Sequence, residues 1–244
     1  MREARFRSGP DADYGLPAHR PVDDLGEAFE LLRAGALERL RWERVRRALR
    51  GRTGLRVSIG SGRDVPPGWV GLDLRANPPK VLHCDLRRPL PLADDAVDAV
   101  LAEHVLEHLD LDDVVRLLAE CRRVLRSRAP LRVVSPDVVF LTRLVNESFA
   151  REVVEHTCYD AEIHGWPDEP LRRWRAVNRM THQWGAHRSI LGEELMRLLL
   201  ERLGFDAIVR CGPRDSTYFA DPPGTHGDRF TGPDHEAFAI EALA

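Results

Sequence analysis

Short apolar runs bounded by turn residues alternate along this chain with longer stretches of helical periodicity. Leu55–Ile59, Trp69–Leu72, Val81–His83, Val97–Ala102, Leu131–Val134, Phe205–Cys211 and Ala237–Leu243 read as strands. Leu25, Phe29, Leu32, Leu37, Leu40, Val45 and Leu49 recur at roughly helical spacing up to Gly51. They predict a helix capped by Asp23 or Asp24, with Gly35 as the point where it breaks in two. Leu111–Leu125 predicts a second helix, with Asp110 as N-cap and Leu111, Val114, Val115, Leu118 and Val124 on one face. Gly192–Leu203 predicts a third, with Leu195, Leu198 and Leu199 inward and Gly204 at its end. Strands alternating with helices point to an α/β fold with a mostly parallel sheet and helices on both faces.

Three segments break the rhythm. Residues 1–22 are polar, contain Pro10, Pro17 and Pro21, and read as an irregular arm. Residues 138–190 are rich in His, Trp, Arg and Tyr, and residues 212–233 in Pro and Gly. The expected organisation is an arm and helix over 1–52, able to lid a site, and one domain over 53–244. That domain would carry an acceptor-site insertion at about 138–190.

Composition narrows this only a little. A chain of 244 residues with 43% hydrophobic and 31% charged residues suits one α/β domain plus an arm. A formal net charge of -3 gives no electrostatic case for nucleic acid. Cys84, Cys121, Cys158 and Cys211 form no CxxC pair, so they read as small apolar residues in a reducing cytoplasm. No apolar run follows the basic start Met1–Arg7, and no stretch is long enough to span a membrane.

The chemistry sits where the strands end. The first strand runs into Gly60-Ser61-Gly62, a turn that lets a ligand approach the backbone. Asp73 closes the second strand in Gly71-Leu72-Asp73-Leu74, where a carboxylate can accept from both hydroxyls of a ribose. Asp85 follows the third in Cys84-Asp85-Leu86, where a side chain can meet an adenine amino group. Glu103-His104-Val105-Leu106-Glu107-His108 leaves the fourth. In open α/β sheets this carboxyl edge is where ligands bind.

VSIGSG, GWVGLDL, CDL, LPLADDAVDAVLAEHVLEHL, CRRVLRSRAPLRVVSPD and ILGEELMRLLLERLGF occur in this order. Together they resemble the class I S-adenosylmethionine-dependent methyltransferases, over about residues 53–243. The resemblance implies a Rossmann-like seven-stranded sheet and S-adenosyl-L-methionine as cofactor, with S-adenosyl-L-homocysteine as product. It places Gly60, Ser61 and Gly62 under the methionine part and Asp73 and Leu74 at the ribose. Asp85 and Leu86 would frame the adenine, with Glu103 and His104 near the sulfonium. The implied reaction is methyl transfer to O or N of a small molecule, with specialised metabolism as a candidate setting, no nucleic acid or membrane partner and a homodimer left open. Other chemistry with the same cofactor, a macromolecular acceptor such as RNA, and a non-catalytic binding subunit are the alternatives. The chain departs from the common pattern between Gly62 and Asp73: only about ten residues, with Pro66-Pro67-Gly68 among them, leave no room for a crossover helix.

Histidine is the base most easily recruited near neutral pH. His104, His182 and His187 are the catalytic candidates, with His108, His156 and His164 also considered. His104, Glu107 and His108 stand at i, i+3 and i+4, a spacing that one turn brings together, and His182 or His187 could complete a metal site. No metal is assigned from the sequence. Trp174–Arg188, rich in Trp, Arg, Asn and His, reads as a pocket wall for a polar acceptor.

Overall fold

The computed structural model describes residues 25–63, 65–146, 169–212, 215–220 and 237–244. The expected arm over 1–22 lies outside them, as do His156, His164 and most of the 212–233 loop. The described chain divides into two units, one ending at Leu40 and one from Arg41 to Ala244. Helix α1, Leu25–Leu49, runs unbroken through Gly35, contrary to the expected break. A lone glycine costs a helix only about 1 kcal/mol relative to alanine, too little to stop 25 residues of good helix formers.

In the larger unit the strands are β1 Leu55–Ile59, β2 Val70–Asp73, β3 Val81–His83, β4 Val97–Glu103, β5 Pro130–Pro136, β6 Asp206–Cys211 and β7 Ala237–Leu243. They form one seven-stranded sheet in the order β3-β2-β1-β4-β5-β7-β6. The first five are parallel; β7 runs antiparallel to both neighbours. This is the Rossmann-like sheet expected of the class I methyltransferase fold. Strand edges fall within about two residues of the expected ones, because buried parallel strands announce themselves as continuous apolar runs. No helix joins β1 to β2 among the described residues, as the Pro66-Pro67-Gly68 spacing predicts.

One main core fills a face of the sheet. Val57, Ile59, Val100, Ala102, Leu131, Val133, Phe238 and Ile240 point into it. A register shift between Leu55 and Arg56 brings Val97 onto that same face. Helix α2, Leu111–Val124, covers it with Val114, Leu117, Leu118, Cys121 and Val124. The buried face is rotated from the expected one: Leu111 is exposed and Leu117 and Cys121 are buried, because the core admits the stripe one step round. The helix before β6 shifts likewise. It spans Glu193–Arg202 and buries Met196 and Leu200, while Leu198 is half exposed. Val45 and Leu49, from the last turns of α1, join the same core, and the Trp42 indole donates to the Pro89 carbonyl at 2.8 Å.

Trp69, Ala99 and Leu101 pack with Val65 and Phe219 in a separate cluster. Alternation along β5 and β7 turns Arg132 and Glu241 away from the main core, and both are completely buried. Their side chains pair at 2.6 Å. Glu241 also accepts from the Ser216 hydroxyl and the Thr217 and Tyr218 amides, and Arg132 donates to the Asp215 and Gly212 carbonyls. This network pins the described part of the β6–β7 connection to the sheet. No helix among the described residues is long and apolar enough to cross a membrane.

Candidate functional site

Because β1 to β4 are parallel, Gly60, Asp73, Cys84 and His104 all emerge at one edge of the sheet. A cavity of about 620 Å³ opens there. Gly60, Gly62, Asp73, Leu74, Asp85, Leu86 and His104 line it, together with Arg87, Val105, His108, Asp110, Asp113 and Arg188 among others. Its volume lies in the range of pockets that enclose cofactors and drug-sized ligands.

The glycine turn is shaped for close approach. Gly60 has φ +64°, and a Cβ there would overlap the Val105 side chain. Gly62 has φ +58° with open space where a side chain would stand. Its amide donates to Asp73 Oδ2 at 2.9 Å, and the Arg75 amide donates to Asp73 Oδ1 at 2.7 Å. Asp73 is thus fixed by two backbone bonds, and each oxygen keeps a lone pair for a further donor. Asp85 accepts a fork from Arg87, at 2.9 Å from Nε and 2.9 Å from Nη2. Burial pushes the Asp85 carboxyl up, but the bonds and charge of Arg87, with Arg88 nearby, hold it below its ordinary value.

His104 leaves β4 with φ +49°, a left-handed conformation uncommon for a side-chain-bearing residue. Its amide is held by the Val134 carbonyl at 2.9 Å. Its Nδ1 donates to Glu107 Oε1 at 3.1 Å, and the Ser135 hydroxyl donates to Glu107 Oε2 at 3.1 Å. Glu107 is 2% exposed. Burial pushes its carboxyl up; the bond from His104 and the charges of His104 and His108 outweigh that and hold it low. The main chain is tied as well: the Arg188 and Ser189 amides donate to the Glu107 carbonyl at 2.8 and 3.2 Å.

That tie brings in the segment after Glu169–His182, which is helix α4 following α3, Val138–Asn146. His187 meets His108 edge to face, ring centroids 4.9 Å apart. His187 Nδ1 donates to the Met180 carbonyl at 2.6 Å and His108 Nδ1 to the Ala186 carbonyl at 3.1 Å. Burial lowers the His187 imidazole from its ordinary value. Arg188 forks onto Asp110 at 2.9 and 2.8 Å. Asp110 precedes α2 as expected, but its side chain makes no cap bond, because Arg188 holds it.

The cavity therefore gathers seven of the residues expected from sequence to bind cofactor. Ser61 and Glu103 do not line it; the Ser61 hydroxyl is buried against β2, where a Cβ on Gly71 would strike it. Of the catalytic candidates, His104 lines the cavity, His187 stands behind His108, and His182 is exposed at the end of α4. Among the described side chains of Trp174–Arg188, Ala186 and Arg188 line the cavity, and Trp174 faces solvent. Sequence reading missed Arg87, whose partner lies two positions away, and placed Arg188 in a pocket wall without its partner 78 positions away. The near pair was visible as Asp85-Leu86-Arg87; the far one had no local signal.

Residues 64–133 match the family model of a methyltransferase domain. No curated protein matches the chain. Among solved structures it is similar to a SAM-dependent methyltransferase from Archaeoglobus fulgidus, at 18% identity and TM-score 0.46 over 85% of this chain and 94% of that one. An S-adenosylmethionine-dependent methyltransferase from Mesorhizobium loti is similar at 16% identity and TM-score 0.47, over 82% and 96%. Phosphoethanolamine N-methyltransferase 2 of Haemonchus contortus, solved with S-adenosyl-L-methionine, is similar at 14% identity and TM-score 0.39, over 67% and 36%.

Proposed function

We propose that this chain, whose residues 64–133 match a methyltransferase domain, binds S-adenosylmethionine in the cavity at the sheet edge. It transfers the methyl group to an oxygen or nitrogen of a small molecule. The observation that carries the reading is the Gly62–Asp73 arrangement: an unobstructed glycine turn whose own amide orients a carboxylate at the end of the next strand.

The residues fit such a ligand. Asp73, with two lone pairs left over, suits a vicinal diol. Leu74 and Leu86 offer apolar contact to a base, and Asp85 Oδ2, which accepts one bond from Arg87, keeps a lone pair that suits an amino group. Gly60 and Gly62 let a chain with charged ends pass close to the backbone. S-adenosylmethionine supplies a methyl group already activated on a sulfonium. What the protein adds is placement of the acceptor in line with it. His104 keeps its proton on Nδ1 against Glu107, so its Nε2 can take a proton from a hydroxyl or ammonium acceptor.

Calorimetry with S-adenosylmethionine and S-adenosylhomocysteine tests this first. Binding of both in the micromolar range, weakened at least about tenfold by Asp73→Ala, is the expected result. A tenfold loss corresponds to about 1.4 kcal/mol, the scale of a lost hydrogen bond to a charged group. Absence of binding, or indifference to Asp73→Ala, refutes the assignment. Release of S-adenosylhomocysteine with a methylated product then separates transfer from binding alone.

A further inference from the structure

We propose that Glu107, His108 and His187 form a binding site for one divalent first-row transition-metal ion beside the cofactor cavity. One ligating atom from each of the three lies within 4.8 Å of the other two. One carboxylate and two imidazoles form a donor set that suits Zn²⁺, Co²⁺ or Mn²⁺.

Three independent features support a site over a chance meeting. The first is tautomer control. His108 Nδ1 and His187 Nδ1 both face backbone carbonyls, at 3.1 and 2.6 Å, and a carbonyl only accepts. Nδ1 of both rings therefore carries a proton, which leaves Nε2 as the nitrogen that can ligate a metal. Metal-ligating histidines are held in this way by their outer partners. The second is the carboxylate. Glu107 is buried, His104 and Ser135 each supply one bond to it, and each oxygen keeps a lone pair. A buried carboxylate among imidazoles is a place where a bound cation is well compensated. The third is rigidity across the chain. The Glu107 carbonyl takes the Arg188 and Ser189 amides, and Arg188 forks onto Asp110. These bonds fix the position of His187, which comes from a different segment than Glu107 and His108.

Three protein ligands leave open positions for water or another donor atom. His108 lines the cavity, so the ion would stand at its wall. If the methyl-transfer reading holds, those positions would face the acceptor side; binding of the metal does not depend on that reading.

Titration of the chelator-treated full chain with Co²⁺, followed by visible absorption and by competition with Zn²⁺, tests the site. One ion per chain is expected, with the strong bands of low-coordinate cobalt in place of the weak bands of the hydrated ion. His108→Ala and His187→Ala should each weaken binding at least tenfold, and the double variant should abolish it. His182→Ala, exposed and five residues away, should leave it unchanged. Circular dichroism in chelator identifies any variant that fails to fold, in which case the wild-type stoichiometry and spectrum decide. A wild-type chain that shows only the hydrated-ion spectrum overturns the site, as does a folded double variant that binds like wild type. Cofactor binding measured on the same chelator-treated protein reports the methyltransferase reading separately.

Discussion

Two buried carboxylates of this protein, Glu241 and Glu107, have opposite surroundings. Glu241 meets a guanidinium, a hydroxyl and two backbone amides, all supplied by the sheet and the described part of the β6–β7 connection. Its charge is answered inside the fold. Glu107 meets Ser135 and rings of histidine, none of which carries the fixed positive charge of a guanidinium. The first arrangement closes the far half of the sheet; the second stands at the wall of a cavity. Burial alone does not distinguish structure from function. The identity of the compensating group does: arginine is charged at all working pH values and stays, whereas imidazoles can accept a proton or a metal.

The sharpest way to break the comparison is to remove Arg132. Arg132→Met should destabilise the protein by about 3–5 kcal/mol in urea unfolding, because Glu241 is left buried without its cation. The double variant Arg132→Met/Glu241→Leu should recover most of that loss. A single variant as stable as wild type would show that Glu241 is not held by the pair.

Glu107→Gln comes next. It should weaken metal binding by more than the roughly 10–100-fold cost of losing an outer-shell partner. Its unfolding free energy in chelator should fall by no more than about 1–3 kcal/mol, the cost of a disturbed buried hydrogen bond. A loss of stability as large as that of Arg132→Met would make Glu107 structural.

Acid then sharpens the contrast on the Glu241 side. Burial pushes its carboxyl up, but the bonds from Ser216, Thr217, Arg132 and Tyr218 hold it below its ordinary value of 4.5. A lowered folded value means stability that is complete above about pH 4.5 and lost as pH falls through the folded value. Urea midpoints should therefore drop below pH 4.5, and the part due to Glu241 should disappear in Glu241→Gln.

The smallest effect is expected at the Asp110–Arg188 fork. Both side chains are more than half exposed, so Asp110→Asn should leave the melting temperature unchanged, as exposed pairs contribute little. Arg188 lines the cavity, so Arg188→Ala should raise KM for the acceptor more than it lowers kcat.

Much of this could be read along the chain. The strands near 55, 81 and 237 were legible to the residue, since continuous apolar runs between turn residues have few other homes. The glycine turn and Asp73 and Asp85 were legible because each follows its own strand directly. The faces of the two amphipathic helices were less so: Leu117 and Cys121 were passed over for Leu111 and Val115, because several stripes on one helix look alike until a core chooses among them. His182 and His187 looked equivalent, five residues apart, yet one is exposed and the other sits against His108.

Local order along the chain determined the sheet, its carboxyl edge and the side of the cavity lined by Gly60, Asp73 and Asp85, because in a parallel α/β fold every strand ends at that edge by construction. The tertiary structure decided the rest. It chose Arg132 as the partner of Glu241, Arg188 as the partner of Asp110, and His187 as the histidine beside Glu107. Those pairings join residues 78 to 109 positions apart. Only packing sets such distances, since periodicity and spacing carry no information beyond a few turns of chain.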